Sequence, residues 1–230
     1  MSQIKLIIFD CDGVLLDSQK AINKFVWEYL MDLGFFMSLK QFNEEFSGER
    51  ALSILERLKK ENGLSFQQPL PQLARAIEDS LLDHLSTQKV RTIPGIKRLL
   101  KNLMLKKCVA SNCFSKLLFV LLTSSGLLSY FDSHVFSYEE VGRPKPAPDL
   151  FLYAAHRMEE PVENCLVIED SVVGIKAARA AGMNVIGFIG GSHTTFLSGS
   201  QLIDAGASHV FQDMKSVSLF LEENIPNVSV

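Results

Sequence analysis

Leu6–Ile7–Ile8–Phe9 is an unbroken apolar run, and Asp10–Cys11–Asp12–Gly13 follows it at once. Four apolar residues without alternation suit a strand covered on both faces, as in the middle of a parallel sheet. Ligands of open α/β sheets bind at the carboxyl ends of the strands, where this chain turns polar. Two carboxylates one residue apart repel each other unless a cation lies between them or one is protonated. Either state has chemical use. Asp10 can be a hard-oxygen ligand or a nucleophile, and Asp12 a general acid and base. A strand entering a polar turn would look the same over these few residues, so the rest of the chain must decide.

Beyond Asp17–Ser18, which suit a helix cap, the period changes. Ile22, Phe25, Val26, Tyr29, Leu30 and Leu33 keep helical spacing and Gly34 stops them. Ala51, Ile54, Leu55 and Leu58 repeat the pattern up to Asn62–Gly63, and Leu73, Ala76, Ile77, Leu81, His84 and Leu85 repeat it again. Residues 18–87 hold no strand candidate.

After Val90 the chain alternates. A helix opens at Ile93–Pro94–Gly95 and runs to Leu105; strands are predicted at Lys107–Ala110, His134–Phe136, Cys165–Ile168 and Val185–Ile189, with helices between them. A last strand end and a closing helix fall between Phe211 and Leu221. Such alternation predicts an α/β fold, a Rossmann-like doubly wound parallel sheet, formed by residues 1–17 and 88–230. Residues 18–87 are an inserted α-helical cap domain.

Composition excludes several classes. With 47% hydrophobic and 21% charged residues, a large core and ordinary solubility are expected. A net charge of −3, without basic residues interleaved with aromatics, gives no case for nucleic acid. No apolar run is long enough to span a membrane, and the apolar opening ends in charge without a cleavage site. Cys11, Cys108, Cys113 and Cys165 form no Cys-x-x-Cys pair and read as reduced thiols. A cytoplasmic chain, monomer or weak homodimer, is expected.

Three predicted strands end in polar pairs that could meet at one sheet edge: Asp10 with Asp12, Ser111 with Asn112, and Glu169 with Asp170. Lys145 lies in the proline-stiffened run Gly142–Arg143–Pro144–Lys145–Pro146–Ala147–Pro148. Taken singly, Ser111–Asn112 could cap the next helix, Glu169–Asp170–Ser171 could be a charged N-cap, and Lys145 could be solvated. Together they supply what phosphoryl transfer needs. Mg²⁺ takes oxygen ligands and keeps several waters, with Asp10 and Asp170 as candidate ligands and Glu169 in support. Lys145 and the Ser111 hydroxyl face a phosphate dianion, and backbone N–H groups complete the cradle.

Those four elements, in that order, resemble the motifs of the haloacid dehalogenase superfamily of phosphotransferases, and the helical insertion is similar to its small cap type. The resemblance spans nearly the whole chain. It implies that Asp10 attacks phosphorus and Asp12 serves as acid and then base. It further implies Mg²⁺ held by the Asp10 carboxylate, the Asp12 backbone carbonyl and Asp170, with Glu169 nearby. Ser111, Asn112 and Lys145 would bind the phosphate of a small phosphorylated metabolite. The cap segment Phe46–Ser47–Gly48–Glu49–Arg50 resembles a loop that reaches the active site. There Gly48 would allow close approach and Arg50 would meet a second anionic group.

Dehalogenases of the superfamily lack the second aspartate that Asp12 supplies. A β-phosphoglucomutase shares the cap type, but its pattern has a histidine where Ile22 stands here. A receiver domain would be about half as long and uninterrupted. The reading is a Mg²⁺-dependent phosphatase of a small phosphomonoester, with sugar phosphates including 6-phosphogluconate closest in pattern. A sugar-phosphate mutase and a non-catalytic phospho-ligand binding module are the alternatives.

Overall fold

The computed structural model describes residues 4–46, 49–62, 65–192 and 199–225. Six strands form one parallel sheet: β1 (Leu6–Phe9), β2 (Lys106–Ser111), β3 (Val135–Ser137), β4 (Cys165–Glu169), β5 (Asn184–Phe188) and β6 (Val210–Phe211). Their spatial order is β3-β2-β1-β4-β5-β6. The chain winds outward from β1 to β3 and then resumes on the other side at β4. β1 and β4 therefore flank the switch point, where open sheets leave a crevice.

All four β1 residues are fully buried, because β1 lies between two neighbours and under helices on both faces. Its register sets Phe9 beside Val109 of β2 and beside Ile168 of β4. Asp10, Ser111 and Glu169 therefore end up at neighbouring carboxyl ends.

The helices that connect the strands are α5 (Ile96–Asn102), α6 (Ser115–Ser125), α7 (Asp149–Arg157), α8 (Val172–Ala180), α9 (Gly199–Asp204) and α10 (Met214–Asn224). A core cluster joins Leu6, Ile8 and Val167 of the strands to Phe151, Ala154 and Ile175 of α7 and α8. Helix α5 stops before the predicted Leu105, because Leu103 turns extended (ψ 108°) and its carbonyl accepts from Lys107 Nζ at 2.8 Å.

The remaining described helices, α1 (Gln19–Asp32), α2 (Leu39–Phe46), α3 (Ala51–Asn62) and α4 (Leu70–Ser86), form a unit of their own. The chain divides into compact units Met1–Asp17 with Val90–Val230, and Ser18–Lys89. The second boundary falls slightly later than residue 87. Thr87 caps α4 and Gln88 N–H bonds the Leu85 carbonyl, so these residues stay with the helix.

The helical unit packs Val26, Leu30, Phe42, Phe46, Leu55 and Ile77 into its own core. Gly34 ends α1 as expected: at φ +86° its N–H bonds the Met31 carbonyl, and Phe35 N–H bonds that of Leu30. The Asp17–Ser18 cap does not form. Ser18 has helical rather than extended backbone and makes no capping side-chain bond, while the Asp17 carboxylate accepts from Ser192 N–H at 2.9 Å. Trp27 donates to the Met37 carbonyl at 2.8 Å, a packing role. Among the described residues no helix is long and apolar enough to cross a membrane.

Candidate active site

Asp10 leaves β1 with its backbone still in the ladder, its N–H bonding the Ile168 carbonyl at 3.0 Å. The following turn is tight: Leu15 and Leu16 N–H both reach the Cys11 carbonyl at 3.0 Å, and Gly13 N–H reaches that of Leu16 at 2.6 Å. Half-buried Asp12 sits inside this turn.

Lys145 comes from the loop after β3 and is the centre of the site. Its ammonium has three protons and three protein acceptors: Asp10 Oδ1 at 2.6 Å, Glu169 Oε1 at 2.7 Å and the Ala110 carbonyl at 2.8 Å. Beneath it, 4.7 Å from the ammonium, is the centre of the Phe151 ring. Burial by itself would push the Lys145 pKa down, but the two carboxylates outweigh it and hold it above the ordinary lysine range. Lys145 was expected to set positive charge against a bound phosphate. In this arrangement its donors are spent on protein, and its contribution to an anion is charge.

Two other candidate site residues are likewise bonded to protein groups. Asn112 Oδ1 accepts from Lys145 N–H at 2.9 Å while its Nδ2 donates to the Lys145 carbonyl at 3.2 Å. The carboxamide clamps the backbone of the lysine instead of standing free for a phosphate. It does not cap α6, whose N-cap is Phe114. Glu169 was expected as support for a metal. Its Oε1 takes Lys145, and its Oε2 accepts from the N–H groups of Asp170 and Ser171 at 3.0 Å and from the Ser171 hydroxyl at 2.9 Å. A carboxylate has about four lone-pair directions, and protein donors occupy that number here. Ser171 is indeed a helix cap, since its Oγ accepts from Gly174 N–H at 2.9 Å.

Gly174 escaped the sequence reading. A Cβ there would lie 1.8 Å from Glu169 Oε1, so the Glu169 carboxylate occupies the space a side chain would need. The only signal in the sequence is a glycine in the first turn of a helix that follows an acidic pair.

Ser111 is buried at the end of β2, and its Oγ accepts from Cys113 N–H at 3.1 Å. Its own proton has no acceptor among the described residues and is left to donate.

Burial pushes the Asp10 carboxyl well above the usual range; Lys145 opposes this, and Glu169 and Asp170 add to it. Two buried carboxylates, Asp10 and Glu169, thus share one ammonium, and the buried Asp170 adds a third negative group near Asp10. That surplus of negative charge, on hard oxygen atoms, fits a small divalent cation. Among the described residues no three His, Cys, Asp or Glu side chains group into a metal cage. Mg²⁺ needs only one or two carboxylates and keeps its waters, so Asp10 and Asp170 with a backbone carbonyl suffice.

Burial also raises the thiols of Cys11 and Cys108, and that of Cys165 to about 12. All four cysteines are free, and these three are neutral at ordinary pH. Arg50 is half-buried just ahead of α3, and Ile54 N–H bonds its carbonyl at 3.0 Å. Gly48 lies outside the described residues.

A doubly wound parallel sheet with a buried carboxylate–ammonium cluster at its switch point defines an α/β enzyme core of the Rossmann-like class. The model of the haloacid dehalogenase-like hydrolases matches residues 4–182, and the chain belongs to that family. It is 28% identical over 211 residues to a 6-phosphogluconate phosphatase of Escherichia coli, covering 88% of this chain and 94% of that one. A fructose-1-phosphate phosphatase of the same organism is 31% identical over 183 residues, covering 78% and 94%. The fold is that of a conserved haloacid dehalogenase-like protein from Agrobacterium tumefaciens, at 36% identity, a TM-score of 0.80, and coverage of 96% and 98%. The protein is a phosphoric monoester hydrolase.

Proposed function

We propose that the protein hydrolyses a small, polyhydroxylated phosphomonoester of the sugar-phosphate kind in two steps, through a phosphorylated Asp10. The observation that carries this is the position of Asp10 at the switch point, where its Oδ1 is tied to Lys145 and its Oδ2 has no partner among the described residues. That oxygen is the one to attack phosphorus. Asp12, in the turn that follows, gives a proton to the leaving oxygen and then takes one from the water that opens the acyl phosphate. The Ser111 hydroxyl donates to a phosphoryl oxygen, and Lys145 supplies positive charge and keeps Asp10 ionised and aimed.

Asp10, Asp170 and the Asp12 backbone carbonyl would hold Mg²⁺, which when bound offsets charge on the phosphoryl group and between the carboxylates. Glu169 and Asn112 act on Lys145 and not on the substrate. Substrate choice falls to the helical unit, where Arg50 would meet a second anionic group. The similarity to phosphatases of 6-phosphogluconate and fructose 1-phosphate supports the substrate class. The free thiols support a cytoplasmic setting.

The test is phosphate release from a panel of sugar phosphates, phosphoglycolate and nucleotides, with and without Mg²⁺, beside Asp10→Asn matched for folding by circular dichroism. Release that needs the metal and is lost by at least a thousand-fold in the variant (about 4 kcal/mol of barrier) is expected. Conversion of glucose 1-phosphate to an isomer without release would establish the mutase. Binding of phosphate esters without turnover would leave a binding module.

A further inference from the structure

Strand β3 ends in Ser137, which is 1% exposed and stands beside Ser111 in the parallel register of β2 and β3. Ser137 is the N-cap of the single 3₁₀ turn Tyr138–Glu140. Its Oγ accepts from Glu139 N–H at 3.2 Å, and its own N–H bonds the Glu140 carboxylate at 2.7 Å. A cap uses only the oxygen. The Ser137 proton goes elsewhere, to the Cys113 carbonyl in the turn after β2, at 2.7 Å. Glu139 holds the far end of that turn, where its Oε2 accepts from Ser115 N–H at 2.8 Å. The turn held in this way carries Ser111. Cys113 N–H donates to Ser111 Oγ at 3.1 Å, which engages the oxygen on that side and leaves the hydroxyl proton for another acceptor. Asn112, between them, clamps Lys145 through bonds of 2.9 and 3.2 Å.

We propose that Ser137 is a positioning residue for phosphoryl transfer, which acts through Ser111 by fixing the turn of residues 111–113. The bonds run in series: the Ser137 hydroxyl holds the Cys113 carbonyl, and Cys113 N–H holds the Ser111 oxygen. A serine hydroxyl rotates about its own side chain, so without the Cys113 bond the Ser111 proton has no preferred direction. Small misplacements of a group that meets the transition state are costly in rate. All the groups in the series belong to the sheet unit. The inference rests on the reading of Ser111 as a donor to the phosphoryl group and gives β3, which lends that group no side chain, a part in the reaction.

The test is a double-mutant cycle on kcat/KM for phosphate release from the best ester of the panel above, with wild type, Ser111→Ala, Ser137→Ala and the double variant. Loss of the cap lowers the stability of Ser137→Ala by itself, so rates are read without denaturant on protein that circular dichroism shows to be folded. Ser111→Ala should lose about ten-fold or more, as for a hydrogen bond to a charged group. Ser137→Ala should lose about five-fold. The double variant should match Ser111→Ala within about two-fold, because Ser137 then has no hydroxyl to aim. Losses that multiply would make Ser137 a residue of general packing and overturn the inference. A Ser137→Ala protein with wild-type kcat/KM would overturn it too.

If Ser137→Ala does not fold, Ser137→Cys takes its place in the cycle: it keeps the shape of the side chain, and the thiol is a weak donor. The same several-fold loss, absent in the Ser111→Ala background, is expected, and a wild-type rate is the contrary result. A wild type that hydrolyses the ester beside a Ser111→Ala protein of equal kcat/KM would remove the role of Ser111 and this inference with it. Failure of the wild type to hydrolyse any phosphate ester would instead sink the phosphatase reading, and with it this extension.

Discussion

At the scale of single residues the site is organised by Lys145 and Glu169, whose contacts leave neither any spare capacity. Lys145 spends its protons on Asp10, Glu169 and the Ala110 carbonyl, and Glu169 in turn is held by the N–H groups of Asp170 and Ser171, just ahead of α8. Such a cluster tolerates little displacement, because a buried charge that loses its partner is left uncompensated. Gly174 is its most sensitive neighbour. In Gly174→Ala the added Cβ would overlap the Glu169 carboxyl group, with its carbon 1.9 Å away. Glu169 cannot swing aside without giving up Lys145 or the N–H groups of Asp170 and Ser171. We expect a loss of roughly 1–3 kcal/mol in urea unfolding and at least a ten-fold fall in phosphate release. An alanine variant with wild-type stability and rate would mean that the carboxylate moves freely and that the cluster is not tight.

The polar strand ends were visible in the sequence because each is an abrupt change after an apolar run: Phe9 to Asp10, Ala110 to Ser111, Ile168 to Glu169. What each group does with its atoms was not visible. Asn112 and Lys145 are 33 residues apart, and their two-point clamp exists only because β2 and the loop after β3 are brought together. Residue type and position alone allowed Asn112 to bind phosphate and Glu169 to bind metal. Competition from nearby protein donors is a tertiary property.

Among the elements, strands of the sheet interior were easiest to read, since burial on both faces leaves no polar residue to break the run. The boundaries that moved were set by local backbone bonds, as with Leu103 at the end of α5. Helix α9 (Gly199–Asp204) escaped, being too short for a helical period to show, with Leu202 as its one buried residue. Closing helix α10 shows how one side chain starts an element. Asp213 is its N-cap, and the Oδ1 accepts from Ser216 N–H at 2.8 Å, with the Ser216 hydroxyl also bonded at 3.1 Å. These bonds hold the Asp213 carboxyl below its ordinary pKa of 3.8.

A depressed folded-state pKa means that the unfolded chain takes up the proton first. The stability Asp213 contributes is therefore present above pH 3.8 and is lost as pH falls through its lower folded value. Asp213→Ala should melt below wild type at neutral pH, and the gap should narrow as pH drops below about 4, near the unperturbed carboxylate pKa. A gap that stays constant across that range would assign the effect to helix propensity and not to the charged cap.

At the scale of the whole molecule, two of its apolar cores share no residue among those described. One joins the sheet to α7 and α8 through Leu6, Ile8, Val167, Phe151 and Ile175; the other is confined to α1 through α4. Where the chain leaves the sheet unit and where it returns, its backbone is paired: Ile93 N–H bonds the Leu15 carbonyl at 3.0 Å and Asp17 N–H bonds that of Arg91 at 2.9 Å. The ends of the inserted segment are thus already side by side, so closing the gap costs little loop entropy. Replacing Ser18–Lys89 by a short Gly-Ser linker should leave a soluble protein that unfolds cooperatively in urea, because β1 keeps both neighbours and the Asp10–Lys145–Glu169 cluster loses no member.

Such a protein should still release phosphate from p-nitrophenyl phosphate, slowly, since Asp10, Asp12, Ser111 and Asp170 all belong to the retained unit. Its preference for any sugar phosphate over the aryl ester should vanish, because Arg50 goes with the segment removed. A deletion protein that folds but keeps the wild-type ratio of kcat/KM between the two compounds would locate substrate choice in the sheet unit. One that fails to fold would show that the sheet core depends on the helices inserted into it.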